Sequence, residues 1–246
     1  MGSTAALVLA AVGKRLPGDV VLDWVAGVGV VFAGAFAWFL YFRMKDRHRP
    51  EPLAALAIAF AMGIAAAGIA LFAYRSLPAL GLPSDPGATV GSVLVFCMFL
   101  VGPIEEGAKF LVARTTVFHF REFDEEIDGL VYASAVALGF ASLENVLYLQ
   151  HLEWPQRIAR TLATPLSHSL FSAVWGFGVA HAAFHAGSRR ARFGWQAGTL
   201  ALAMFLHGLY DHVLLAHAGT LAAGGIVLVL WIFVIAKAKK VVRATA

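Results

Sequence analysis

Apolar segments of about twenty residues recur along the chain, and their length restricts the fold more than any other feature of the sequence. A helix needs about 20 apolar residues to cross the hydrocarbon core of a bilayer, and these segments do not alternate as the strands of a membrane barrel would. The composition, 60% hydrophobic and 14% charged, is not that of a soluble domain. The sequence therefore predicts an all-α, polytopic membrane helical bundle.

About seven transmembrane helices are predicted, and together they make a single integral membrane domain, residues 1–246. The segment 151–164 is predicted to be a surface loop with an interfacial segment. The apolar piece at residues 5–12 is too short to span, and it lacks the basic start of a signal peptide. The approximate bounds of the seven spans are 20–42, 53–74, 90–118, 127–149, 165–185, 194–217 and 221–236.

Lysine and arginine residues are distributed unevenly between the two sides of this arrangement. With the N-terminus outside, 12 of the 19 fall in inside segments and 5 in outside segments. Because cytoplasmic loops carry the excess of basic residues, the C-terminus is predicted to be cytoplasmic. The basic residues behind the net charge of +4 therefore set the orientation of the chain in the membrane, and no nucleic-acid partner is expected.

Ionisable side chains lie at depth in four of the predicted spans, where translocon scales put the cost of one charge at roughly 2.5–3.5 kcal/mol. They are Glu105, Glu106 and Lys109 in the third span, Glu144 in the fourth, His168 in the fifth, and His207 and Asp211 in the sixth. Asn145 follows Glu144 directly. Four carboxylates and two histidines at this depth indicate a functional site, with its core at about residues 90–217.

Helical spacing predicts how some of these groups interact. Glu105 and Lys109 stand at i,i+4 and can pair, whereas Glu106 points about 100° away and needs another partner. His207 and Asp211 are also i,i+4 neighbours, so the aspartate can fix the histidine tautomer or act as a ligand itself.

Two further histidines, His181 and His185, are predicted to make hydrogen bonds between helices rather than to bind a ligand. The groups at depth, by contrast, are expected to face one cavity in the outer half of the bundle, since leaving any of them toward lipid is costly. The single cysteine, Cys97, excludes an intrachain disulfide and a thiolate cluster. Histidine and carboxylate ligands suit a zinc-like ion, with a further glutamate as general base.

Five motifs resemble, in order, those of the PrsW family of intramembrane proteases, which is distantly similar to the CAAX prenyl protease and bacteriocin-processing group. The match covers about residues 95–215. The motifs are Glu105-Glu106-x-x-Lys109, the run 126–132 (EIDGLVY), the segment 139–145 (GFASLEN), His168 after Pro165, and His207-x-x-x-Asp211.

This resemblance implies an all-α membrane core in the bacterial cytoplasmic membrane and peptidase activity on a membrane protein substrate. In the best-known member that substrate is a membrane-bound anti-sigma factor, which it cleaves first. The resemblance also implies that Glu105, Glu106 and His168 are essential, with Glu144 and His207 completing the site and Lys109, Asn145 and Asp211 supporting it.

The sequence thus favours an intramembrane endopeptidase with a divalent, zinc-like ion. The favoured ligands are Glu105, Glu144, His168 and His207, with Glu106 as base, although the adjacent glutamates could exchange roles. Without an ion, a protonated and an ionised carboxylate could act as a metal-free glutamyl pair. Two alternatives from other classes are a proton- or cation-coupled transporter or channel that uses the same residues as a relay, and a non-catalytic bundle.

Overall fold

The computed structural model describes residues 18–44, 49–216 and 219–245, so the predicted apolar piece at residues 5–12 lies outside the described residues. The described residues form helices and no strand, which confirms the all-α prediction. The α-helices are α1 (Gly18–Arg43), α2 (Leu53–Ser76), α3 (Val90–Phe96), α4 (Gly102–Thr115), α5 (Glu126–Tyr148), α6 (Trp154–His185), α7 (Arg189–Leu215) and α8 (Thr220–Thr245). Short 3₁₀ turns lie at Pro78–Leu80, Val117–His119 and Leu149–His151.

Five helical segments of the described chain are long and apolar enough to cross a membrane. They are Val20–Arg43, Leu53–Ser76, Val90–His119, Glu126–His151 and Arg189–Leu215. A shorter apolar stretch, Leu221–Ala236, lies in α8. Helix α6 has the length to span, and its polar residues between positions 164 and 172 are buried inside the bundle, where α5 packs along it. The helices therefore form a polytopic membrane bundle, as the sequence predicts.

The sequence prediction for residues 151–164 is wrong. Most of that segment is the first part of α6, which begins at Trp154 and runs for 32 residues to His185. Pro165, predicted to open the fifth span, lies inside the helix. A capping box supports the earlier start, because the Glu153 side chain accepts from the backbone of Gln156 while the Gln156 side chain accepts from Glu153.

The third span is one helical run broken by a π turn at Cys97–Val101, between α3 and α4. Pro103 follows, and its missing N–H cannot continue the regular α-helical ladder there. Such π turns often lie beside functional groups. In this chain the turn comes directly before the helical segment that carries Glu105 and Glu106.

Close contact between this run and α7 depends on two glycines. A Cβ atom at Gly102 would lie 2.2 Å from the carbonyl oxygen of Met204, and one at Gly208 would lie 2.5 Å from that of Cys97. Any side chain at either position would therefore push the helices apart. Gly102 lies one turn before Glu105 and Gly208 directly follows His207, so this contact holds the two ends of the candidate site together.

Helix α5 occupies the centre of the bundle, and every residue from Ile127 to Ser142 is buried. It packs most extensively on α6 and then on α2, while α4 and α7 complete the ring around the buried polar groups. The apolar core that surrounds them includes Tyr132, Val136, Phe171 and Trp175. The polar residues are therefore enclosed by protein rather than by lipid.

Candidate active site

The side chains predicted to act together converge from four helices. Glu105 and Glu106 lie on α4, Glu144 on α5, His168 on α6, and His207 on α7. The rings of the two histidines are 4.9 Å apart and perpendicular. That these groups act in catalysis stays a prediction, but the structure brings their polar atoms into one cluster.

Glu106 is the most fully hydrogen-bonded member of the cluster. Its Oε1 accepts from Lys109 Nζ at 2.7 Å and lies 2.9 Å from His207 Nδ1. Its Oε2 accepts from the Ser172 hydroxyl and the Trp175 indole, both at 2.9 Å. The Glu106 side chain is completely buried. Its charge is thus compensated by hydrogen bonds from three helices.

The pairing of Lys109 differs from the one that helical spacing predicts. Its ammonium lies 2.7 Å from Glu106, at i,i+3, and 3.9 Å from Glu105, at i,i+4. It also contacts His168 Nδ1 at 2.7 Å and lies 4.1 Å from the centre of the Phe140 ring. Tertiary contacts with α5 and α6 therefore hold the ammonium on Glu106 and leave Glu105 less engaged.

His207 is held in one orientation by Glu106. A carboxylate only accepts hydrogen bonds when ionised, so His207 Nδ1 carries the proton and Nε2 is free to act as a base or ligand. Phe171 stacks on the ring with centroids 4.9 Å apart. Asp211, predicted as the partner that fixes the tautomer, instead has its Oδ2 3.5 Å from Nε2. Asp211 therefore does not lie on the nitrogen that Glu106 holds, and its other predicted role, as a ligand itself, stays a prediction.

His168 has an equivalent arrangement. Its Nδ1 accepts from the Lys109 ammonium, so the proton of the neutral ring lies on Nε2, which is 2.9 Å from Glu144 Oε2. Glu144 Oε1 accepts from Arg160 at 2.5 Å. Each histidine therefore has a glutamate on one ring nitrogen and turns the other nitrogen toward the centre of the cluster.

Glu105 lies at that centre. Its Oε1 accepts from the Tyr74 hydroxyl at 3.0 Å. Its Oε2 is buried and accepts no hydrogen bond from any residue that the structure describes. His207 Nε2 lies 3.8 Å from this oxygen, and His168 Nδ1 lies 3.9 Å away. A buried, unsatisfied carboxylate oxygen is costly, so it marks the place where a further group belongs.

Exposure rises steadily across the cluster. The side chains of Glu106 and Lys109 are fully buried, Glu105 is 11% exposed, and Glu144, Asp211 and Arg160 are 19%, 22% and 25% exposed. The cluster thus opens on the side of Glu144 and Asp211, near the end of α5 and the beginning of α6. The predicted orientation places that opening toward the outside.

A divalent ion fits the donor atoms. Glu105, His168 and His207 each offer an atom within 4.8 Å of the others. Ligand atoms around tetrahedral zinc are about 3.3 Å apart, given bonds of about 2.0–2.1 Å, so small shifts suffice. With neutral histidines, the four carboxylates exceed the two cations of the cluster by two negative charges, which a divalent ion neutralises. At His168 Nδ1 the ion would take the place of the Lys109 ammonium.

Other sequence predictions fall outside this centre. Asn145, predicted as a supporting residue, is buried, and neither of its amide atoms has a hydrogen-bond partner among the described residues. His181 and His185 make the contacts between helices that the sequence predicts, since both reach Glu126 on α5.

Sequence reasoning missed several residues that touch the cluster, among them Tyr74, Phe140, Arg160, Phe171 and Trp175. Trp175 could have been found, because it stands three residues after Ser172 and seven after His168, on the same helical face. The predicted loop at residues 151–164 hides the position of Arg160, which lies two turns before His168 on α6. Nothing in the sequence connects Tyr74 to Glu105, since they lie on different helices.

Comparisons with known proteins agree with these motifs. The model of the PrsW family of intramembrane metalloproteases matches residues 51–238. Protease PrsW of Geobacillus kaustophilus is 36% identical over 184 residues, which are 75% of this chain and 77% of the relative. Protease PrsW of Bacillus subtilis is 32% identical over 210 residues, 85% of this chain and 92% of the relative. No solved structure matches the chain.

Proposed function

The chain belongs to the PrsW family of intramembrane proteases, and on this premise we propose that Glu105 is the centre of its hydrolytic site. The observation that carries the proposal is the buried, unsatisfied Glu105 Oε2, which lies 3.8 Å from His207 Nε2 and 3.9 Å from His168 Nδ1, the nitrogen that also accepts from Lys109. Each of these histidines is held from behind by another glutamate. We infer that Glu106 and Glu144 orient the histidines, whereas the sequence favoured Glu106 as base and Glu144 as ligand.

The groups that surround Glu106 and Glu144 are the reason for this division of roles. Glu106 has four donors on its two oxygens and no exposed surface, so it cannot approach a substrate. Glu144 is shared between Arg160 and His168. Carboxylates behind a histidine fix its tautomer and its direction, and their loss typically reduces activity by about 10–100-fold.

Water must reach a buried site before a peptide bond can be hydrolysed inside a membrane. The polar opening formed by Glu144, Asp211 and Arg160 supplies that path. A membrane-anchored substrate approaches from the same side, with its scissile carbonyl near Glu105 and the two histidines. The fixed hydrogen bonds around Glu106 keep the groups that donate to it in place as charge develops on the substrate. Preorganised polar groups accelerate such reactions in this way.

A zinc-like ion would be held by Glu105, His168 and His207. When bound, such an ion polarises the scissile carbonyl and makes water more acidic. Asp211 Oδ2, 3.5 Å from His207 Nε2 and on the open side, is then the carboxylate left to take the proton of the attacking water. In a metal-free site Glu105 Oε2 takes that proton itself and delivers it to the leaving amine. Asp211→Asn distinguishes the two versions, because it removes the base of the metal version and leaves the base of the metal-free version in place.

We propose that the substrate is a membrane-anchored protein with a segment on the outer side, of which an anti-sigma factor is the class implied by the PrsW resemblance. The transporter alternative gains no support from the relatives, which are proteases. A polar pathway to both faces would be needed for transport, whereas the exposure of this cluster increases toward one end of the bundle.

Reconstitution tests the activity and the metal together. Purified protein is placed in liposomes with single-span candidate anti-sigma factors, and fragments are identified by mass spectrometry. We expect one defined cut by the native chain and none by Glu105→Gln; the same fragments from both proteins would contradict the proposal. Elemental analysis should find an ion that His168→Ala loses and that a variant at an exposed histidine elsewhere, His119→Ala, retains, and chelation should stop cleavage reversibly. Full activity in a metal-free preparation would exclude the metal version and leave the version in which Glu105 Oε2 is the base.

A further inference from the structure

A second group of histidine and carboxylate side chains lies far from the site described above. It consists of Glu126 on the first turn of α5 and His181 and His185 on the last turns of α6. His181 is thirteen residues from His168 on the same helix, about 20 Å at 1.5 Å per residue. The group therefore lies at the opposite end of the bundle, which the charge distribution predicts to be cytoplasmic.

The geometry of this group is that of a metal site with three protein ligands. His181 Nδ1 lies 2.9 Å from Glu126 Oε1, and His185 Nε2 lies 3.3 Å from Glu126 Oε2. These contacts, one to each carboxylate oxygen, are equal to or somewhat shorter than the separation of about 3.3 Å between ligand atoms around tetrahedral zinc, and one ligand atom from each residue lies within 4.8 Å of the others. Two histidines at i,i+4 on a helix can bind one ion, and a carboxylate from another element completes a His₂Glu set.

The charge of Glu126 is not balanced by a lysine or arginine in any ion pair of the described residues. The acidic residues near Glu126 in the sequence, in contrast, have partners other than histidine. Asp124 and Glu125 pair with Arg49, at 2.8 and 3.8 Å, and Asp128 accepts from the backbone N–H groups that precede α5. Neutral imidazoles do not neutralise a carboxylate, so the group needs a proton or a metal cation.

The frame that holds the group is rigid. Three residues after Glu126, Gly129 crosses Gly176 of α6 so closely that a Cβ atom on either glycine would lie 2.3 or 2.2 Å from a backbone oxygen of the other helix. The Trp195 ring, 4.3 Å from that of His181, confines the histidine from α7. His185 is half exposed, which leaves a coordination position open to water.

We propose that Glu126, His181 and His185 form a second divalent metal site, selective for the zinc class of ions. An ion there clamps the beginning of α5 to the end of α6 and takes no part in peptide hydrolysis. Imidazole nitrogen and carboxylate oxygen are ligands that suit zinc, whereas calcium and magnesium require sets of oxygen ligands.

The test counts ions on protein purified through a tag without histidine, stripped with a chelator and dialysed against Zn²⁺. His181→Ala/His185→Ala should bind one ion fewer per chain than the native protein. The matched control, His119→Ala/His151→Ala, removes two exposed histidines elsewhere and should bind as many ions as the native protein. Equal stoichiometry in all three proteins would overturn the proposal.

Two further measurements separate this site from the catalytic one. The isosteric Glu126→Gln should weaken Zn²⁺ binding and abolish the rise in thermal unfolding midpoint that Zn²⁺ gives the native protein. His168→Ala should keep this ion, whether or not the catalytic site binds one. Substrate cleavage by His181→Ala/His185→Ala should stay within about twofold of native; a loss of activity parallel to the loss of the ion would show that the site serves catalysis.

Discussion

The two clusters on helices α5 and α6 use the same residue types in different surroundings. In the cluster around Glu105 the histidines are almost fully buried, and each is held from behind by a second glutamate. In the cluster around Glu126 one carboxylate serves both histidines, and His185 is half exposed. Residue type alone therefore does not separate the proposed reactive site from the proposed metal site. The supporting hydrogen bonds and the depth of burial differ between them.

The largest contrast is expected between two glutamates at the centres of these clusters. Glu105→Gln should reduce cleavage by about 10²–10⁴-fold, the typical contribution of a general base, because the variant loses the free carboxylate oxygen. Glu126→Gln should leave cleavage within about twofold of native. Both rates are measured on the same reconstituted substrate. Comparable losses in the two variants would remove the distinction between the clusters.

A second contrast concerns the histidines of α6. His168→Ala should lower cleavage by at least about 10²-fold, since it removes one of the two nitrogens that face Glu105, while His181→Ala should be nearly silent. Both proteins should insert and accumulate normally, which quantitative membrane blots check. If His181→Ala were as inactive as His168→Ala, the active cluster would be wrongly chosen.

Glu106→Gln should affect stability as well as activity. The Lys109 ammonium would be left buried with its closest carboxylate neutralised, and breaking such a pair costs about 3–5 kcal/mol. Cleavage should fall about 10–100-fold, as expected for a residue that orients a histidine. Thermal unfolding in detergent measures the stability of the variants.

The double variant Glu106→Gln/Lys109→Met is the control for this prediction. It removes both charges, so it should recover much of the stability lost in Glu106→Gln without recovering activity. Glu105→Gln should cost little stability, because the lost oxygen has no hydrogen-bond partner among the described residues. An equal loss of stability in Glu105→Gln and Glu106→Gln would contradict the different roles given to the adjacent glutamates.

Among the three glutamates of the cluster around Glu105, the smallest catalytic effect is expected at Glu144. Glu144→Gln keeps the shape of the side chain, and the amide oxygen can still face His168 Nε2, so cleavage should fall only about tenfold, at the lower end for orienting carboxylates. Arg160→Gln should have a similar or smaller effect. A complete loss of activity in Glu144→Gln, with the protein intact, would instead favour the ligand role that the sequence predicted.

The sequence by itself determined the helical membrane fold and most of the residues in the cluster. Apolar segments of spanning length leave few alternatives for the backbone, since every N–H and C=O in lipid must be paired. The cost of burying charge made Glu105, Glu106, His168 and His207 recognisable one by one. Helical periodicity also paired His207 with Asp211. In the structure, however, Glu106 rather than Asp211 fixes the tautomer of this histidine, and Asp211 lies near its Nε2 atom.

Only the tertiary structure decided which carboxylate is bound and which is free. Helical spacing paired Lys109 with Glu105, but contacts from α5 and α6 hold it on Glu106. The same packing turned the segment before Pro165 into helix and brought Arg160 to Glu144. Spacing along one helix specifies which side chains share a face. Partners on other helices, which the local sequence does not encode, determine the bonds that those side chains make.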